Sequence, residues 1–382
     1  MNPGHGRGGG AVLQRLLLAL AWTLCPLPVT AQVLPGPGGP VAARQLAIDE
    51  VAGRVVAEVC QGDLVLLGEL PSHGESLAFQ IKAAVVRGLV EECGFDAVLF
   101  EAGYYDFVGL DAAFSEGKAT QRHLDRAIGR FWWTEELSAF RQWMFGRAMA
   151  GDLVLGGIDD QPSITSDYAR AALPDLVSRH ASGACGEAVD RNLFWKYNES
   201  DPFDEAEQER LMVCTRDAAG DANDPLLENL ASYYARQHTG SPERDSVMFA
   251  NLEQYAVDDR RVIVWTATVH AARSANGRPY RPLGDFAAGR WGDRMAAIGF
   301  SAYSGQSSMA GLPARELPAM PVGSLEHGLA GPFAFLDRGE LRGLGQIASR
   351  LFGQVTEADW SLYFDSVVVV REEKASVFED WR

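Results

Sequence analysis

Residues 63–101 decide the fold class, and they read DLVLLGELPSHGESLAFQIKAAVVRGLVEECGFDAVLFE. The run Asp63–Gly68 is short, apolar and closed by a glycine, which is typical of a buried parallel strand. A helix is predicted from Pro71 to about Cys93, because apolar residues recur there at helical spacing. A second buried strand follows at Ala97–Phe100. A strand, a helix and a strand in this order need a right-handed crossover, so the segment predicts an α/β sheet.

The rest of the chain continues this alternation. Later strands are predicted at 153–158, 261–266, 296–301, 332–336 and 363–370, and a helix around 338–351. Residues 164–257 are predicted to be helical, with loops near 181–184 and 218–224. We therefore expect one α/β domain over residues 46–382 that carries a long helical insertion at about 164–257.

The N-terminal residues resemble an export signal. Two arginines precede the apolar run Leu16–Leu24, and Val29–Ala31 fits the small-residue pattern of a cleavage site. The apolar run is shorter than the roughly 20 residues that span a bilayer. We therefore predict a signal peptide at 1–31, a flexible Pro/Gly-rich lead-in at 32–45, and a periplasmic or secreted protein without a membrane anchor.

The charge of the chain bears on its partners. It has 34 Lys and Arg against 51 Asp and Glu, a formal net charge of −17. A surface this acidic repels nucleic acid and anionic lipid, so we expect neither as a partner. The sequence does not indicate an oligomeric state.

Four cysteines follow the predicted signal peptide, and an even number in an exported protein allows two disulfides. Pairing Cys60 with Cys93 and Cys185 with Cys214 closes loops of about 30 residues, and the second pair is favoured. Four free thiols are the alternative. No cysteine or histidine spacing is typical of a zinc site.

Polar side chains follow four of the predicted strands. Glu69 and His73 follow the first strand, and Glu101 ends the second. Asp159 follows the third strand and His270 the fourth. Because sites in open α/β sheets form beyond the carboxyl ends of the strands, these side chains are expected to converge.

His73 is the candidate general base. Its predicted position in the first turn of a helix favours the neutral imidazole, because the helix dipole opposes a proton there. A carboxylate on the other ring nitrogen would stabilise the imidazolium that forms, and Glu69 and Glu101 are both candidates. A histidine that only caps the helix or lies at the surface is the alternative.

The helix before the fourth predicted strand adds Arg244, Asp245 and Asn251. Arg244 and Asn251 are seven residues apart and share one helix face. An arginine on that face could stabilise an oxyanion, and an ordinary surface ion pair is the alternative. The chain has no G-x-S-x-G, P-loop, H-E-x-x-H or dinucleotide-binding pattern, which disfavours a serine hydrolase or a nucleotide enzyme.

Six blocks over about residues 62–380 resemble, in order and spacing, the erythromycin esterase family. They are LLGELPSHGESLAFQIKAAVVRGLVEECGFDAVLFEAGYYD (66–106), FWWTEELSAFRQWM (131–144) with LGGIDDQPS (155–163), ERDSVMFANL (243–252), VIVWTATVH (262–270), AAIGFSAYSG (296–305) and YFDSVVVV (363–370). The resemblance implies a three-layer α/β/α fold with a mixed, mainly parallel sheet. It also implies hydrolysis of a macrolide lactone with no metal and no cofactor.

The resemblance assigns residues as well. The family's site corresponds here to His73 as general base, Glu69 and Glu101 as carboxylates, His270 as second histidine, Arg244 and Asp245 as an arginine–aspartate pair, and Lys82 at a basic position. We predict catalytic roles for His73, Glu69, Glu101, His270 and Arg244. Substrate contacts are predicted for Lys82, Asp245 and Asn251.

Two departures from the family bear on the substrate. Three residues lie between Glu69 and His73, where the family has two. The family's Trp-Ala-His-Asn-x-His is here Trp265-Thr-Ala-Thr-Val-His270, without the first histidine and the asparagine. The loss of two polar groups argues against unchanged macrolide hydrolysis, so we expect another small-molecule ester or lactone as substrate.

Two other functions stay open. Histidines and carboxylates also bind metals, and a related branch of the superfamily binds haem, so a metal- or haem-binding protein is one alternative. A non-catalytic binding module of the same fold is the other, and the altered segment 265–270 favours it.

Overall fold

The structure, a computed structural model, describes residues 40–380 apart from 164–165, 241–242, 258 and 329–330. Its contacts separate Met1–Ala43 from Arg44–Arg382, and the second unit contains the whole sheet. The predicted signal peptide and most of the lead-in lie outside the described residues. Within the described part, no helix has both the length and the apolar character needed to cross a membrane.

Parallel pairing dominates the sheet. The strands of the described residues are β1 Leu64–Glu69, β2 Ala97–Gly103, β3 Val154–Asp159, β4 Val262–Ala267, β5 Met295–Met309, β6 Leu312–Leu317, β7 Phe333–Asp337, β8 Gln346–Ser349, β9 Thr356–Asp359 and β10 Ser366–Glu373. Eight of them form one sheet in the order β3-β2-β4-β1-β5-β10-β7, with β6 paired to β5. Only β6 and β7 pair antiparallel within it, and β8–β9 form a separate hairpin.

Helices connect most of these strands. Those of the described residues are α1 Pro40–Val59, α2 Ser76–Cys93, α3 Tyr104–Ser115, α4 Gln121–Ile128, α5 Ser138–Met149, α6 Asp167–His180, α7 Gly183–Leu193, α8 Glu205–Ala222, α9 Pro225–Thr239, α10 Arg244–Tyr255, α11 Thr268–Ala271, α12 Leu283–Trp291 and α13 Arg338–Leu344.

The sheet is buried on both faces. In β1, Val65 and Leu67 pack with α1, α2 and α5, whereas Leu64 and Leu66 pack with α10 and α12. Side chains of a strand alternate between its two faces, so a strand covered on both sides is apolar throughout. This arrangement is the expected three-layer α/β/α fold with a mixed, mainly parallel sheet.

A third apolar cluster lies within the helices α6 to α9, which follow β3. A disulfide between Cys185 and Cys214 joins α7 to α8, and a second between Cys60 and Cys93 joins the ends of α1 and α2. Both predicted pairings are therefore present. Each has a Cα–Cα separation of 5.3 Å, so packing around Cys60 and Cys93 does not hold them apart.

Several predicted boundaries were wrong. Residues 40–45 of the predicted lead-in are the first residues of α1. The helix predicted over 338–351 ends at Leu344, because Gly345 has a left-handed backbone (φ 60°) and β8 follows. The predicted loop at 218–224 is mostly helical, since α8 continues to Ala222 and ends at Asn223 with φ 50°. Strands β6, β8 and β9 were not predicted.

Candidate active site

A cavity of about 290 Å³ lies at the carboxyl ends of β2 and β3. Four charged or ionisable side chains that the sequence placed after strands or on α10 line it: His73, Glu101, Asp159 and Arg244. Ala127, Ile128, Phe131 and Trp132 contribute an apolar wall. The cavity therefore has polar side chains of the types that act in catalysis. It also has an apolar wall that fits apolar groups of a substrate.

His73 lies in the turn between β1 and α2. Because α2 begins at Ser76, the prediction that His73 occupies the first turn of this helix was wrong. Its backbone is left-handed, with φ 50°, a conformation that side-chain-bearing residues seldom adopt. The ring packs against Phe131 and Trp132, at centroid distances of 4.9 and 5.4 Å.

Glu69 is the carboxylate that contacts His73. One of its oxygens is 2.7 Å from Nδ1 of His73 and accepts a hydrogen bond from Nε1 of Trp132 at 2.8 Å. The other oxygen accepts from Nζ of Lys82 at 2.5 Å and from Nε1 of Trp265 at 2.6 Å. This fully buried carboxylate is therefore surrounded by four donors, which hold it in one orientation.

Charged neighbours shift the pKa values of Glu69 and His73 in opposite directions. Burial raises the pKa of Glu69, but Lys82 and His73 outweigh it, and the pKa lies below its usual value. For His73, burial lowers the pKa, but the hydrogen bond to Glu69 and the charge of Glu101 outweigh it, so the pKa is raised. The prediction that a helix dipole lowers the pKa of His73 was therefore wrong.

Glu101 is the centre of a second polar cluster. Its Oε2 accepts hydrogen bonds from Oγ1 of Thr266 at 2.8 Å and from the backbone N–H of Ala267 at 2.9 Å. Its Oε1 is 3.0 Å from Nη2 of Arg244 and 3.2 Å from Nε2 of His270. Burial raises the pKa of Glu101, but His270 and Arg244 outweigh it and hold the pKa well below its usual value.

Carboxylates face both ring nitrogens of His270. Nδ1 lies 2.8 Å from Asp245, which also accepts a hydrogen bond from the backbone N–H of Leu283. Nε2 lies 3.2 Å from Glu101. Burial lowers the pKa of His270, but Glu101 and Asp245 outweigh it and raise the pKa to about 9. The ring is therefore an imidazolium at neutral pH.

Arg244 extends from α10 to the cavity. Its Nε and Nη2 donate to the two carboxylate oxygens of Asp159 at 3.0 and 2.7 Å, and Nη2 also donates to Glu101. Nη1 lies 3.3 Å from Nε2 of His270, but an imidazolium nitrogen cannot accept a hydrogen bond. Among the described residues, Nη1 therefore has no hydrogen-bond acceptor.

The predicted residues occupy two layers around the cavity. His73, Glu101 and Arg244 line it, whereas Glu69 and Lys82 lie behind His73, and His270 and Asp245 lie behind Glu101 and Arg244. Asn251 is part of neither layer. It exchanges hydrogen bonds with Asn229 and donates to the carbonyl oxygen of Ile158. The geometry does not support substrate contacts by Lys82, Asp245 or Asn251.

Sequence reasoning did not identify the two indole donors to Glu69. Trp265 lies on β4 opposite Leu67 of β1, so its ring is fully buried in the sheet. A buried tryptophan needs a partner for its N–H, and a carboxylate at the end of the neighbouring strand is a suitable acceptor. This requirement is the sequence feature that could have indicated the hydrogen bond from Trp265 to Glu69.

Side chains that bind metals are not grouped into a site within the described ranges. Between residues 40 and 380, apart from the gaps named above, no group of three or more His, Cys, Asp or Glu side chains is arranged to hold a metal ion.

Comparisons with known proteins agree with this architecture. A family model for erythromycin esterase matches residues 90–359, a range that includes Glu101, Arg244 and His270 but begins after His73. A Bacillus cereus protein has a similar structure, with a TM-score of 0.65 at 16% identity, over 90% of this chain and 100% of that one. A succinoglycan biosynthesis protein has a TM-score of 0.62 at 16% identity, with the same coverage. A mutant of the erythromycin esterase EreC in its open conformation has a TM-score of 0.58 at 17% identity, over 84% of this chain and 93% of that one. At these identities, the structural likeness shows the fold alone.

Proposed function

Because this chain belongs to the erythromycin esterase family, we propose that it hydrolyses an ester or lactone with His73 as the general base. The observation that carries the proposal is the position of His73 between Glu69 and the cavity. Glu69 engages Nδ1 at 2.7 Å, and no hydrogen bond formed within the described residues uses Nε2. Nε2 is therefore available to a water molecule in the cavity.

The proposed first step is removal of a proton from water by Nε2 of His73, while the water oxygen attacks the carbonyl carbon of the substrate. The buried Glu69 carboxylate stabilises the imidazolium that forms, since its own pKa lies below the usual range and it stays ionised. The tetrahedral intermediate then breaks its C–O bond. Its leaving alkoxide takes the proton from His73, which returns the imidazole to its neutral form.

Arg244 is the proposed oxyanion donor. It lines the cavity beside Glu101, and among the described residues its Nη1 donates to no carboxylate. Asp159 fixes the guanidinium through two hydrogen bonds, so the donor does not need to reorient when charge develops. A negative oxygen formed at the carbonyl of the substrate is the group that this donor fits.

His270 has a different proposed role from the one expected at first. It does not line the cavity, and both of its nitrogens contact carboxylates. As an imidazolium between Asp245 and Glu101, it holds Glu101 beside Arg244. We therefore assign it to positioning of this cluster rather than to the catalytic role that the sequence predicts.

The substrate is proposed to be an ester or lactone with an apolar part. Ile128, Phe131 and Trp132 contribute apolar surface to the cavity, and Glu101 and Arg244 contribute polar groups. The changed segment 265–270 supports a substrate other than a macrolide, because Ala267 and Thr268 stand where the family has a histidine and an asparagine.

The test is a hydrolysis screen. Purified protein should be assayed with small acyl esters, bulky aryl esters, lactones of several ring sizes and erythromycin, with His73→Ala as the control. The proposal expects turnover of at least one substrate that the variant lacks. If no substrate is hydrolysed while ligands still bind to the cavity, the non-catalytic binding module is the better account.

We also propose that the protein is exported. The predicted signal peptide at 1–31 motivates this, and the two disulfides support it, because such bonds persist mainly in oxidising compartments. Fractionation of cells that express the full chain, followed by N-terminal sequencing, tests the proposal. Cleavage after Ala31 and recovery outside the cytoplasm are expected, and an uncleaved cytoplasmic chain would contradict it.

A further inference from the structure

The left-handed turn that carries His73 is closed by a residue to which no role has been assigned. Glu75 is buried, and it lies two positions after His73, just before α2. One of its carboxyl oxygens contacts the hydroxyl group of Ser72, and the other accepts the backbone N–H of Gly74 at 3.1 Å. Its carboxyl group therefore bridges the two residues that flank His73.

The opposite side of the turn is fixed as well. The carbonyl oxygen of Gly74 accepts the backbone N–H groups of Ser308 and Ser376, both at 3.0 Å. A Cβ atom on Gly74 would lie 1.9 Å from the carbonyl oxygen of Ser308, so only glycine fits at this position. These contacts hold the turn in one geometry. Among the described residues, Glu75 is the one whose carboxyl group links both neighbours of His73.

Glu75 is not part of the wall of the cavity. It cannot act on a substrate directly, and any effect on catalysis must pass through His73. The unfavourable backbone of His73 makes such an effect physically reasonable, because a left-handed conformation persists only when neighbouring contacts hold it.

We infer that Glu75 is a positioning residue, whose carboxyl group closes the Ser72–Gly74 turn and keeps the ring of His73 between Glu69 and the cavity. The inference deepens the proposed hydrolysis and rests on it for its kinetic consequences. Its structural consequence, the placement of the His73 ring, does not depend on any substrate.

Several charged groups face Glu75. They are Glu373 from β10, Glu69 from β1, Lys82 from α2, and His73 itself. Burial, followed by the charges of Glu373 and Glu69, raises the pKa of Glu75 to about 8. At neutral pH the bridge is therefore an uncharged carboxylic acid, which an uncharged amide of the same shape can replace.

The experiment compares Glu75→Gln and Glu75→Ala with the parent protein, and uses Glu92→Ala, an exposed position on α2, as the surface control. Titration of the His73 imidazole by NMR needs no substrate. In Glu75→Ala the contact with Glu69 loosens, and the pKa of His73 should fall toward its ordinary value. Glu75→Gln should leave that pKa unchanged. An unchanged His73 titration in folded Glu75→Ala overturns the inference.

Kinetics provide the second readout, on whichever ester the screen identifies. In Glu75→Ala we expect kcat to fall by about 10- to 100-fold with KM within about twofold, because a small displacement of a catalytic group has effects of this size. Glu75→Gln should retain kcat at neutral pH, because its uncharged amide keeps the bridge between Ser72 and Gly74. A Gln variant as impaired as the Ala variant, or an Ala variant with the kcat of the parent protein, overturns the inference.

The two proposals fail in distinguishable ways. If the NMR titration responds as expected but no ester is hydrolysed, the positioning role stands and the proposed hydrolysis does not. If hydrolysis depends on His73 but not on Glu75, the proposed function stands and the positioning role does not. Should Glu75→Ala fail to fold, Glu75→Gln still decides the matter, because a Gln variant with a lowered His73 pKa overturns the inference.

Discussion

Nδ1 of His73 lies 2.7 Å from Oε1 of Glu69, across a turn with three residues between the two positions. The backbone of His73 within this turn is left-handed, with φ 50°, and its ring contacts the carboxylate at the end of β1. A carboxylate and an imidazole held in this way form the central unit of the proposed site.

His73→Ala should abolish hydrolysis without unfolding the protein. Loss of a general base typically lowers the rate by roughly 10²- to 10⁴-fold. The ring contributes packing against Phe131 and Trp132, but it forms no part of the main cores of the sheet. His180→Ala, at the surface beside Asp221, is the matched control. Near-normal kcat in folded His73→Ala would remove His73 from the mechanism.

Trp132→Phe should move the acid limb of the pH–rate profile to higher pH. The variant keeps an aromatic ring but removes an N–H that donates to Glu69 at 2.8 Å. With one donor fewer, the negative charge of Glu69 is less compensated and stabilises the His73 imidazolium more strongly, so the pKa of the base rises. Trp133→Phe, whose indole donates to Glu379 instead, is the control. A shift of the limb to lower pH would contradict the assignment.

Lys82→Met should destabilise the fold. Lys82 and Glu69 are both fully buried and form an ion pair, so the variant leaves a buried carboxylate without its ammonium partner. Breaking such a pair from one side costs about 3–5 kcal/mol in the free energy of unfolding. Lys118→Met, which removes an exposed lysine paired with Glu116, should change it by less than about 0.5 kcal/mol. Denaturant titration measures both, and equal effects would contradict the argument.

The free energy of unfolding should fall as the pH rises from about 6.5 to 9. The pKa of His270 is raised to about 9, so its contribution is complete below its ordinary value of 6.5 and is lost as the pH rises through 9. Burial raises the pKa of Glu75 to about 8 and that of Glu373 to about 7, which acts in the same direction. Burial lowers the pKa of Lys82 to about 8, which opposes this loss only above about pH 8. The lowered pKa values of Glu69 and Glu101 matter only in acid. Thermal unfolding at both pH values is the measurement, and a higher Tm at pH 9 would refute the prediction.

Activity should survive EDTA. The oxygens of Glu69 already accept four hydrogen bonds, and those of Glu101 contact Arg244, His270, Thr266 and the backbone of Ala267. A metal ion would have to displace these cationic and N–H partners. Metal analysis of protein purified without chelator, together with assays before and after EDTA, decides the matter. Stoichiometric zinc or iron, lost together with activity, would favour the metal-binding alternative.

The order of elements followed from the sequence because it depends on local patterns. Apolar runs such as 64–67 and 97–100 predict strands covered on both faces, and helical spacing in 76–93 predicts the crossover between them. The ends of some helices and strands could not be predicted from these local patterns. The stop of α13 depends on the left-handed backbone of Gly345, and the pairing that extends β5 beyond residue 301 involves the unpredicted β6.

The sequence by itself determined which polar residues meet at one edge of the sheet, because the carboxyl ends of parallel strands must lie together. Only the tertiary structure decided how they pair. It assigned Glu69 rather than Glu101 to His73, and it turned His270 away from the cavity toward Asp245. Partners such as Glu69 and Trp265 are separated by 196 residues. Such contacts, and the burial that sets the pKa of each group, exist only once the distant segments have packed.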